Sequence, residues 1–243
     1  MNINENVKLV LRDVYLYDIE ACHYTIMTKL GMDLAGVDRD NKSERNIHIG
    51  KMMRKNPKLT SILRNTTRSI IDEYISRNNI KESDIILRQY DGIITTKTLR
   101  ETNIQHIPLN IRQHFQIFIC SFDRKKYIAF DSQNETTIKG IAFRYDAMDK
   151  IYEQICRINY ANKDSIFRNL QRIKDKFMTT QNARMFAIPL KNGKVNIFLR
   201  DYGEMEISPQ TLKIIDTDDI DKERYFKFYI EPFTKSIVTE FVR

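Results

Sequence analysis

Long apolar runs are missing from this 243-residue chain, and no stretch approaches the roughly 18 apolar residues that a membrane-spanning helix needs. A leader is missing too: MNINENVKLVLRD has neither an apolar h-region nor a small-residue cleavage site. No membrane role is expected. Cysteine is scarce. Cys22, Cys120 and Cys156 are odd in number, far apart and without metal-ligand spacing, which argues for buried free thiols in a reducing, cytoplasmic setting. Acidic residues are outnumbered: 32 Asp and Glu stand against 40 Lys and Arg, giving a net charge of +8 and a pI of about 9.3. That balance favours a polyanionic partner such as nucleic acid, the alternative being a solvated basic surface without a role. No internal repeat or low-complexity linker interrupts the chain.

What is present is organised around VYLYDIEACHYTIM, Val14 to Met27. A strand delivers one carboxylate, Asp18, to its end and then turns into a helix, a common way of holding the first ligand of a metal-dependent phosphoryl-transfer site. A second acid in a β-branched run, Asp91 of ILRQYDGIITT, is followed by Gly92, which permits a tight bend. If the two strands lie side by side, the aspartates can hold a divalent metal pair. The competing readings are an N-cap role for Asp18 and an Asp-Gly turn for Asp91.

Along the chain, residues 7 to 18 read as strand and Ile19 to Leu30 as helix, with Gly31 as its stop. Asp38 to Lys58 is strongly basic, helical from about Glu44 to Lys55, and either a solvated connector or a cationic wall facing phosphates. Leu59 to Arg77 is an amphipathic helix, and Lys97 to Gln113 an irregular polar connection. Residues 115 to 130 read as a hairpin turning at Phe122 to Lys125. Beyond Ala147 two helices break near Asn162, an Asn192-Gly193 hairpin follows, and Lys222 to Val242 is the last helix. The composition shift near residue 147 marks the expected lobe boundary.

Taken in order, these features resemble the palm and thumb of a family B DNA polymerase in strongly reduced form. Asp18 to Ile26 is similar to the D-x-x-S-L-Y-P-S-I motif. Leu87 to Ile93 is similar to the Y-x-D-T-D-S-I strand, with Asp91 on the second acid and Gln89 on the first. Arg64 to Ile71 resembles the T-x-x-G-R-x-x-I helix and includes Arg68. Lys125-Lys126-Tyr127 resembles K-K-x-Y, and Ile138 to Asp146 the K-G-x-x-x-x-R-x-D segment, with Lys139 and Arg144. Asp219 to Phe241 is similar to the closing helix.

The resemblance implies an α+β fold: a palm of antiparallel sheet with packed helices over 1–146, with a minimal fingers segment at about 38–58, then a mainly helical thumb-like lobe with a small β-hairpin over 147–243. It implies a minimal template-directed nucleotidyltransferase without proofreading, using Mg2+ or Mn2+. Asp18 and Asp91 would be catalytic and hold metal together with the Ile19 carbonyl. His23, Tyr24, Lys51, Arg54 and Lys55 would bind the nucleoside triphosphate, His23 standing where the family carries a sugar-gating tyrosine. Arg68, Lys125, Lys126, Tyr127, Lys139 and Arg144 would grip a DNA or RNA primer-template. The alternative is a non-catalytic or split subunit that binds primer-template beside other replication proteins. Tyr127 also reads as filler of the hairpin face. The usage heavy in Ile, Asn and Lys fits a virus or mobile element acting in a host cell.

Overall fold

The computed structural model describes residues 2–3, 8–121, 126–133, 135–141 and 146–242. It divides into two compact units, one of Met1–Val7 with Asp13–Phe115, the other of Lys8–Arg12 with Gln116–Arg243.

The first unit is a sheet with helices packed on it. Its elements in chain order are β1 (Asn2–Ile3), β2 (Val10–Ile19) from Asp13 onward, α1 (Cys22–Lys29), α2 (Lys42–Lys55), α3 (Pro57–Arg77), β3 (Ile85–Arg88), β4 (Gly92–Thr95), β5 (Asn103–Ile104) and the start of β6 (Ile107–Cys120). Strands follow the order β1-β3-β4-β2-β6, with β5 pairing β6. In β2 Tyr17 and Ile19 turn inward and are fully buried, as the two-residue period of a strand requires, which sends Asp18 to the other face. The inward residues meet Ile26 and Met27 of α1 and Leu63, Ile70, Ile71 and Tyr74 of α3 in one core. Pro57 opens α3, where its missing N–H costs nothing. Tyr74 pins the β5–β6 corner: its hydroxyl accepts from the Ile104 N–H and bonds the Ile107 carbonyl.

The expected irregular connection from Lys97 to Gln113 is corrected. Residues from Ile107 onward belong to β6, a strand of 14 residues. Its middle, Asn110 to Arg112, is solvent-exposed on successive residues, so the alternation that marks a strand is absent there.

The second unit carries the end of β6, then β7 (Tyr127–Asp131), β8 (Thr136–Lys139), α4 (Asp146–Cys156), α5 (Lys163–Met178), β9 (Ile188–Pro189), β10 (Val195–Leu199), β11 (Gly203–Ile207), α6 (Pro209–Leu212), α7 (Lys222–Tyr225) and α8 (Glu231–Val242). Asn162 caps α5 through the Ser165 N–H, which ends the preceding connection. β9, β10 and β11 form a separate antiparallel sheet, and Gly193 takes the positive φ of 80° that its hairpin turn needs. Between α7 and α8 the chain widens into a π-helical turn, Phe226–Ile230, within the expected closing helix.

The division falls after Phe115 rather than near residue 147. Ile117, Ile119, Ile128, Phe130 and Ile141 share one core with Met148, Ile151 and Ile155, so β7 and β8 group with the helices that follow them. All three cysteines are buried and none is in a disulfide, and burial pushes Cys22 and Cys156 up to about 12, which makes them inert thiols. Among the described residues no helix is long and apolar enough to cross a membrane.

Candidate active site

Antiparallel pairing of β2 with β4 sets Asp18 opposite Gly92, and the Ile19 N–H donates to the Asp91 carbonyl at 2.8 Å. Because residue 92 carries no side chain, the strands close tightly at this point: a Cβ there would lie 1.9 Å from the Tyr17 carbonyl oxygen. The carboxyls of Asp18 and Asp91 therefore come together at the strand ends. Immediately beyond, Ala21 takes a left-handed conformation with φ 49° and forms the N-cap of α1. That conformation costs an alanine about 1 kcal/mol and turns the chain sharply away from the strand. Asp18 lies three residues before the cap and makes no capping bond, so the N-cap reading of Asp18 is set aside.

Electrostatically the two acids work against each other. Asp18 is pushed up to about 6, by burial first, then by the Asp91 charge, while Arg112 on β6 pulls it back. Its Oδ1 is buried with no hydrogen-bond partner among the described residues. His23, facing Asp91 and 5.2 Å ring to ring from Tyr90, is held below its usual range by burial, so it is neutral at physiological pH. The acids open into a cleft of about 440 Å³ whose polar wall includes Arg39, Lys42, Arg45, Asn46 and Arg112. Among the described residues no group of three or more His, Cys, Asp and Glu is placed to hold a metal ion.

No curated protein matches the chain. The family model of the bacteriophage PBS1 gene 130 protein matches residues 4–222. The chain belongs to that family. Among solved structures, this PBS1 gene 130 family member is similar to the family B DNA polymerase from the hyperthermophilic archaeon Pyrobaculum calidifontis, with a TM-score of 0.50 and 11% identity. The match covers 95% of this chain and 45% of the polymerase. The likeness shows the fold: α+β, an antiparallel sheet packed with helices, then a helical C-terminal region with a small hairpin sheet.

In this family member the structure brings Asp18, Ile19, Asp91, His23 and Tyr24 to one cleft. The basic segment 38–58 does line that cleft, but through Arg39, Lys42 and Arg45. Lys51, Arg54 and Lys55 are exposed on later turns of α2 and outside it, because Ile49 turns the other face of the helix inward. Arg68 is exposed on α3. Lys139 is exposed in β8, while Lys126 bonds the Phe228 carbonyl at 3.1 Å. Tyr127 is corrected: it is 3% exposed and stacked on Phe118 at 4.7 Å, so it fills the sheet's covered face and cannot grip a duplex. Lys125 and Arg144 lie outside the described residues.

Arg112 escaped the sequence reading because it sits in the polar middle of β6. Arg39, Lys42 and Arg45 escaped because their segment offered eight cations and histidines with no sign of which face meets the acids.

Proposed function

We propose that this protein is a template-directed nucleotidyltransferase of the family B polymerase type, acting at the Asp18–Asp91 pair. The observation that carries it is the β2–β4 register, which sets two carboxylates side by side in a cleft that Arg39, Lys42, Arg45 and Arg112 line together with Glu20 and Asp40. Asp18, Asp91 and the Ile19 carbonyl would hold Mg2+ or Mn2+. These are hard oxygen donors, and the partnerless Oδ1 of Asp18 suits a cation. When bound, such ions neutralise phosphate charge and make a 3′-hydroxyl nucleophilic. The chain's own residues do the positioning. Arg39, Lys42, Arg45 and Arg112 attract and orient a triphosphate, while neutral His23 and Tyr24 present uncharged faces to the sugar. Exposed Arg68 and Lys139 would contact backbone phosphates and make binding salt-dependent.

The test is incorporation on a labelled primer-template in Mg2+ or Mn2+, with dNTPs and NTPs offered separately. Extension with either supports the proposal, and the nucleotide used shows what His23 and Tyr24 admit. A second reading, a duplex-binding subunit that works beside other replication proteins, is favoured by Gln89, which stands where the resembling motif has an acid. It gives salt-sensitive binding without extension.

A stability measurement probes the same pair. Because Asp18 titrates near 6 in the fold against 3.8 ordinarily, the native chain holds an extra proton between those values, and stability is lost as pH rises through them. Asp18→Asn is therefore expected to melt above the wild type in chelator at about pH 7.5, with the gap closing near about pH 4. Mg2+ should raise the melting temperature of the wild type and leave that of Asp18→Asn nearly unchanged, as thermal unfolding at both pH values will show.

A further inference from the structure

The second unit contains a pocket of about 300 Å³ that nothing above uses, lined in part by Lys126, Asn196, Phe198, Glu204, Arg224 and Phe228. Its walls are flat rings. The Arg224 guanidinium lies 4.1 Å over Phe198 and 5.9 Å from the Phe228 ring, and Phe228 is 51% exposed at the mouth. Tyr225 is fixed behind them, its hydroxyl accepting from the Phe198 N–H at 2.9 Å. Two of its polar lining residues, Asn196 and Glu204, offer acceptors. Asn196 donates its amide N–H to Glu204, which leaves its Oδ1 buried with no partner among the described residues. The rim is cationic, with Lys126 and Arg224, and with exposed Lys227 next to Phe228.

We propose that this pocket takes an unpaired, amino-bearing nucleobase (adenine, cytosine or guanine) from a single nucleic-acid strand. The volume sits at the small end of ligand pockets and suits one base rather than a larger cofactor. Phe228 supplies the stacking face, and a guanidinium layered on aromatic rings adds cation–π attraction. Asn196 Oδ1 and the Glu204 carboxylate accept from an exocyclic amine. Thymine and uracil present mainly carbonyls to the same wall and meet acceptor with acceptor. Lys126, Arg224 and Lys227 meet the flanking phosphates. The inference rests on the proposed function only in requiring that the chain bind nucleic acid, not that it extend it.

Fluorescence anisotropy of labelled deoxyadenylate, deoxycytidylate and thymidylate strands of about twelve nucleotides tests it on the full chain. The wild type is expected to bind the first two more tightly than thymidylate. Phe228→Ala should weaken all three about tenfold, and Asn196→Leu should lower the first two to the thymidylate level. Phe228 is half exposed, so its variant keeps the fold, and matching thermal unfolding confirms that. Wild-type binding without base preference, or Phe228→Ala binding like the wild type, overturns the proposal. Failure to bind single strands overturns it as well, while primer-template extension separately decides the function proposed for the Asp18–Asp91 cleft.

Discussion

Gly92→Ala is expected to destabilise the chain by about 3 kcal/mol or more and to remove nucleotide incorporation with it. The cause is space, not conformational freedom. The new Cβ would stand 1.9 Å from the Tyr17 carbonyl oxygen and 3.1 Å from the Asp18 Cα, and both are backbone atoms that no rotamer change can move. Relief requires β2 and β4 to part at the residue pair that sets Asp18 beside Asp91. Stability and site geometry therefore fail together. Gly50→Ala is the control, since a Cβ meets nothing within 4 Å in the α2 interior, where alanine gains about 1 kcal/mol of helix propensity. Denaturant unfolding of both variants checks this; a Gly92→Ala protein as stable as the wild type would mean the strands do not approach so closely.

Asp18→Ala and Asp91→Ala are each expected to lower incorporation at least about a thousandfold, equivalent to about 4 kcal/mol of transition-state stabilisation. The double variant should be little worse than either single one. Two carboxylates that would hold the same cations are expected to act as a unit, so losing one forfeits most of what the pair provides. Neither change should cost stability in the absence of metal, because each removes a repelling charge. Primer-template binding should survive, since Arg68 and Lys139 are untouched. Steady-state incorporation beside anisotropy with duplex separates the two effects, and a loss of binding equal to the loss of rate would deny the aspartates a role in chemistry.

The acid pair was legible because it follows from the simplest periodicity. Tyr17 and Ile19 bracket Asp18 with buried residues, and the two-residue repeat leaves the acid pointing away from the core. The Asp-Gly step at 91 and 92 likewise announced a bend, and Asn162 and Asn192-Gly193 marked their boundaries by side-chain and backbone preference alone. Less could be read where tertiary packing decides. Polar residues run through the middle of β6 without alternating, which hid both the strand and Arg112. In α2 Ile49 is the one residue fully inside, too weak a stripe to show which cations face the cleft. Tyr127 looks alike in sequence whether it grips a phosphate or packs on Phe118, and only its neighbours distinguish the two.

Single-turnover addition of one labelled nucleotide to a primer-template, with Mg2+ and with chelator, by the wild type and by Asp18→Ala/Asp91→Ala, tests the central claim most directly. Metal-dependent one-nucleotide extension by the wild type and none by the double variant is the expected result. No extension by the wild type in Mg2+ or Mn2+, with salt-sensitive duplex binding equal in both proteins, would contradict it and leave a nucleic-acid-binding subunit in its place.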